Sequence, residues 1–89
     1  TSYYLRLRVA DQAGVLAKLT GLLAEAGISI DAVLQREADQ VSQADENQTD
    51  VIILTHDTRE GTLNAVLTQM QALPTVMAPI VRIRKEELN

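Results

Sequence analysis

The chain has 89 residues, no cysteine and a formal net charge of -4, which suits one domain and excludes a disulfide framework, a thiolate metal site and a cysteine nucleophile. Its acidity argues against nucleic-acid binding, which needs clustered Lys and Arg. No apolar run approaches the ~20 residues needed to cross a bilayer, and none reads as a secretory signal, so the expected location is the cytoplasm.

Residues 3–9 alternate strictly. Tyr3, Leu5, Leu7 and Val9 point one way and Tyr4, Arg6 and Arg8 the other, the period of a half-buried strand. Asp11-Gln12-Ala13-Gly14 breaks the pattern. Over residues 14–26, Val15, Leu16, Leu19, Leu22, Leu23 and Ala26 trace one helical face, and Gly27 stands where a C′ glycine ends a helix. Residues 28–37 alternate again, with Ile28, Ile30, Ala32 and Leu34 on one face and Ser29, Asp31, Val33 and Gln35 on the other. Residues 38–48 are polar and predict an exposed loop.

The run 49–56 predicts a β-branched strand with apolar side chains on both faces. Asp57 and Glu60 have capping-box spacing for a second helix. Its face is Leu63, Val66, Leu67, Met70 and Leu73, and Pro74 stops it. Residues 76–84 predict a last strand, with Val81 and Ile83 inward and Arg82 and Arg84 outward. Pro79 cannot donate to a ladder, which sends that strand to a sheet edge.

The order β-α-β-β-α-β is the α+β, ferredoxin-like arrangement: a four-stranded antiparallel sheet in the order 4-1-3-2 with both helices on one face. The uncovered face is expected to carry Tyr4, Arg6, Arg8, Val33, Ile52, Leu54, His56, Arg82 and Arg84. Val33, Ile52 and Leu54 are candidates for an interface, because an apolar patch left in water usually marks a contact surface; scattered surface residues are the plainer reading. The four arginines would form a basic stripe, neutralised by nearby carboxylates. Related sheets bind RNA by stacking bases on aromatics, but the third strand here is Val51-Ile52-Ile53-Leu54.

Catalysis needs an activated nucleophile or a matched acid and base. His56 is the only histidine, no metal-ligand spacing is present, and the glycines form no phosphate loop. No catalytic residue, metal or cofactor is expected in this chain. The segment Asp11, Gln12, Ala13, Gly14, Val15 and Leu16 could instead clasp a small ligand. Free N–H groups at a helix start attract a carboxylate, and Asp11 could accept from an ammonium group. The alternative is that Asp11 merely caps the helix.

The pattern V-x-D-x-x-G-V-L-A-x-L-x-x-L-L-A-x-x-G-I-S-I resembles the opening half of an ACT domain. Three further stretches resemble the ACT segment of bacterial homoserine dehydrogenases: 27–37, 49–60, and Ala72-Leu73-Pro74 with Val81-Arg82-Ile83-Arg84. The resemblance covers essentially the whole chain as one domain, 1–89. It implies a regulatory module that pairs with a second copy, as a homodimer or higher homo-oligomer, and binds an amino acid, with threonine favoured as pathway end product. It places the effector contacts on Asp11 to Leu16 and on Ser29. It also implies a parent enzyme that uses NAD(P) to interconvert homoserine and aspartate semialdehyde. The first Met is Met70, which fits a domain from the C-terminal end of such a chain. Many ACT loops carry proline where this chain has Ala13. A purely structural oligomerisation domain and a free-standing amino-acid sensor are the alternatives.

Overall fold

The computed structural model describes residues 1–10, 13–36 and 48–88. Its elements are β1 (Tyr3–Ala10), α1 (Val15–Glu25), β2 (Ile30–Arg36), β3 (Gln48–Thr55), α2 (Glu60–Gln71) and β4 (Val81–Arg84), with a 3₁₀ turn at Lys85–Leu88. The sheet order is β2-β3-β1-β4, antiparallel at every pairing. Fold class and strand order are those expected from the sequence. The polar run expected at 38–48 lies outside the described residues except for Gln48, which opens β3. Among the described residues, no helix is long and apolar enough to cross a membrane.

The core lies between the sheet and the helices. β1 delivers Tyr3, Leu5, Leu7 and Val9 to it, all buried, as period two requires. β3 adds Val51 and Ile53, in register with Leu7 and Leu5. From the helices come Val15, Leu19 and Leu23 of α1 and Leu63, Val66 and Met70 of α2. Thr55 joins this face as a buried polar residue, and its hydroxyl oxygen accepts from the Tyr3 backbone N–H at 3.0 Å.

α1 ends as Gly27 predicts. The Ile28 N–H donates to the Leu23 carbonyl and the Gly27 N–H to that of Ala24, the paired bonds of a Schellman motif, with Gly27 at φ 79°. α2 begins differently from expectation. Arg59 occupies its N-cap without a side-chain cap bond, and Asp57 instead accepts from the Ser2 hydroxyl at 3.2 Å. No capping box forms.

Two facings are corrected. The β2–β3 register shifts between Ile30 and Ala32, an irregularity that reverses side-chain parity along the strand. Ile30 stands opposite Thr55, but beyond the shift Val33 stands opposite Ile53 and Leu34 opposite Ile52. Val33 therefore packs against the core, while Leu34 emerges on the open face, 55% exposed.

In β4, Arg82 pairs with Leu5 and Arg84 with Tyr3, so both arginines lie on the helix side and Val81 and Ile83 on the open side. At this edge the helix layer presents a polar rim. Arg82 donates to the Asn64 amide oxygen, and Arg84 meets Glu60 at 3.2 Å. The strand is also shorter than expected. An isolated bridge pairs Val76 with Val9, and β4 resumes only at Val81, beyond Pro79.

Gly21, inside α1, has open space where a Cβ would stand. Gly21→Ala is expected to stabilise the domain by about 0.5–1 kcal/mol by lowering the entropy of the unfolded chain. Thr55→Val orphans the buried Tyr3 N–H and is expected to cost about 1–3 kcal/mol. Urea denaturation of both variants, read as midpoint shifts of opposite sign, checks the pair.

Candidate functional site

At one end of the sheet, Val9, Ala10, Gly14, Val15, Leu16, Gln35, Thr49 and Val51 line a cleft of about 220 Å³. Three strands and one helix meet there because the ends of β1 and β2 flank the start of β3 on either side. Gly14 takes the N-cap of α1 at φ 87°, so no side chain of the cap residue reaches the first turn. The first intrahelical bond runs from the Lys18 N–H to the Gly14 carbonyl at 2.9 Å. The N–H groups of Val15, Leu16 and Ala17 precede it and have no carbonyl of their own helix to bond. Together with the helix dipole, they make this end attractive to a carboxylate.

Of the residues expected to contact an effector, Gly14, Val15 and Leu16 line the cleft. Ala13 is exposed beside it, and Asp11 and Gln12 lie outside the described residues. Ser29 is elsewhere within this chain. It is exposed at the far end of β2, where its carbonyl accepts from the His56 N–H at 2.9 Å. Gln35 and Thr49 bring polar atoms to the cleft wall, and sequence reasoning missed both. Gln35 was hidden by the register shift, whereas Thr49 follows the inward parity of Val51 and could have been found.

The open sheet face carries Tyr4, Ile52, Leu54, Val81 and Ile83 by register, joined by Leu34. Ile52 and Leu54 face the side where the sequence placed them, but Ile52 is already buried by its neighbours, 9% exposed, and Leu54 is part-buried. The expected four-arginine stripe is divided between the two faces. Arg6 and Arg8 remain on the open face, and Asp50 answers them, with Oδ1 3.1 Å from Arg8 Nε and Oδ2 3.5 Å from Arg6 Nη2. His56 Nε2 stands 3.6 Å from Asp31 Oδ1, both side chains well exposed.

Substituting Gly14 tests the geometry of the cleft mouth. Among the described residues other than its chain neighbours, no atom lies within 4 Å of a Cβ built there, so the cost of Gly14→Ala is that of its left-handed backbone. The expected cost is about 1–2 kcal/mol, read as a melting temperature lower by roughly 4–16 °C.

Comparison with known proteins bears on what such a cleft serves. The profile of the ACT domain family matches residues 3–75. Over all 89 residues the chain is 44% identical to a homoserine dehydrogenase of Methylobacillus glycogenes, covering 21% of that protein. It is 37% identical to a homoserine dehydrogenase of Pseudomonas aeruginosa, covering 20%. The crystal structure of a homoserine dehydrogenase from Thiobacillus denitrificans superimposes on 94% of this chain and 17% of its own, with a TM-score of 0.78 and 45% identity. The ACT domain of a GTP pyrophosphokinase from Chlorobium tepidum shares the fold alone, with a TM-score of 0.70 at 12% identity, over 92% of this chain and 96% of its own. The chain thus spans about a fifth of the length of these curated relatives.

Proposed function

This chain belongs to the ACT domain family, and from that premise we propose that it is the amino-acid-responsive regulatory domain of a homoserine dehydrogenase. In this reading residues 1–89 form one domain at the C-terminal end of the parent chain. The NAD(P)-dependent interconversion of homoserine and aspartate semialdehyde is carried out elsewhere in that parent, and this domain adjusts it in the cytoplasm. Two copies pair through the part of the open sheet face around Ile52 and Leu54, leaving clear the end of that face that carries Arg8, Asp50 and Pro79.

The observation that carries the reading is the cleft at the start of α1. Its unbonded N–H groups suit an α-carboxylate, Gln35 and Thr49 line it with polar atoms, and Asp11, three residues before Gly14 in the sequence, is the proposed acceptor for the ammonium group. At about 220 Å³ it is smaller than the roughly 300–1,000 Å³ of sites for drug-sized ligands, which suits a small amino acid. Threonine is the favoured effector.

A ligand at 100 times its Kd stabilises the folded state by about 2.7 kcal/mol, equivalent in a domain of this size to a melting temperature raised by roughly 10–20 °C. Thermal melts with threonine, serine and valine at millimolar concentration are expected to show that rise, greatest with threonine. No shift with any amino acid rejects effector binding by this chain.

The apolar open face also favours a second reading, a domain that assembles the oligomer and binds nothing small. That domain would dimerise without responding to any amino acid. Under either reading Leu54→Asp is expected to give monomers in sedimentation. A Leu54→Asp variant that remains dimeric removes this face as the interface.

A further inference from the structure

A second cleft, of about 160 Å³, opens on the uncovered sheet face, lined by Arg6, Arg8, Asp50, Ala78, Pro79 and Val81. We propose that it is a binding site for the carboxylate of a small aliphatic acid, distinct from the cleft at the start of α1.

The charge arrangement points to an anion. Arg6 and Arg8 stand two residues apart on β1 and so share a face. β3 sets Asp50 directly opposite Arg8, and β4 sets Val81 opposite Arg6. Among the described side chains, one carboxylate therefore faces two guanidinium groups and leaves one positive charge over. Asp50 is the most enclosed of the three cleft-lining charges, its side chain 16% exposed against 29% for Arg8 and 50% for Arg6. The surplus charge thus lies toward solvent, where a ligand arrives. Among the described residues Arg8 uses only Nε, and Arg6 only Nη2, to bond Asp50. Arg8 keeps both terminal nitrogens available, and Arg6 keeps Nε and Nη1.

The wall opposite the charges is apolar and held in place. Gln71 of α2 donates from Nε2 to the Ala78 carbonyl at 3.0 Å and accepts from the Ile80 N–H through Oε1 at 2.8 Å, clamping the segment that carries Pro79. A preformed wall spares the ligand the cost of ordering it. These features select the ligand class. A planar carboxylate matches the guanidinium fork, one negative charge balances the surplus, and Asp50 repels a dianion more strongly than a monoanion. A short aliphatic stem would lie against Ala78, Pro79 and Val81.

Titrating the isotope-labelled chain with acetate, propanoate and butanoate, against chloride at equal ionic strength, reads the site by amide chemical shifts. The expected result is saturable shifts at Arg6, Arg8, Asp50 and Val81, with Gly14 to Leu16 unmoved. Affinity should rise about two- to fourfold per added methylene. Arg8→Met and, independently, the half-exposed Arg6→Met should each weaken butanoate by about tenfold, with circular dichroism confirming that they fold. Asp50→Asn, which removes the competing carboxylate, should tighten it.

Linear shifts matching those of chloride, tighter binding of phosphate than of butanoate, or shifts confined to Gly14–Leu16 would each overturn the proposal. A glutamate side chain presents the same head group. If N-acetylglutamate methylamide binds more tightly than butanoate, the cleft belongs to an acidic side chain of a docking protein and the free-acid assignment fails.

Discussion

Two helices can shield only one side of a four-stranded sheet, and most of what is distinctive about this chain follows from that. Along β1 the shielded side receives Tyr3, Leu5, Leu7 and Val9, which form the core with α1, α2 and the inward row of β3. The other side carries a mixture of apolar and charged residues. Among the described residues, Leu34 and Val81, two of the three exposed large hydrophobic side chains, both lie there. In water, such a face gains by being covered.

Where the sheet ends, the same architecture yields a cleft. The turn from β1 into α1 must reverse direction within a few residues, and Gly14 in a left-handed conformation makes that possible. The turn leaves the first N–H groups of α1 without intrahelical acceptors, beside a hollow floored by Val9, Thr49 and Val51. An amino acid bound there touches α1 and the sheet together, so it could shift their relative packing. A coupling of this kind is typically worth 1–3 kcal/mol, comparable to the margin that one or two core contacts supply.

How much was legible beforehand depended on how local the signal was. β1, both helical faces and the Gly27 terminus follow from spacing within a few residues, and all are present. The facing of β2 was not legible past Ile30, because a register shift depends on the partner strand and leaves no mark in the alternation. That one irregularity moved Val33 into the core, brought Leu34 out and concealed Gln35 in the cleft wall. The arginines of β4 were misplaced for a different reason. Apolar-inward is a sound rule where both neighbours are strands, but β4 is an edge strand beneath the polar rim of α2, where Glu60 and Asn64 receive Arg82 and Arg84. Ser29 was assigned to the effector site by resemblance, and within one chain it lies at the opposite end of β2 from the cleft.

Hydrogen exchange at the Val15, Leu16 and Ala17 amides tests the central claim most directly, because these are the groups said to hold the effector. With saturating threonine, or whichever amino acid most raises the melting temperature, exchange at these three amides should slow while that of the exposed His56 end of the sheet stays unchanged. Exchange at all three that is indifferent to every amino acid would contradict the account.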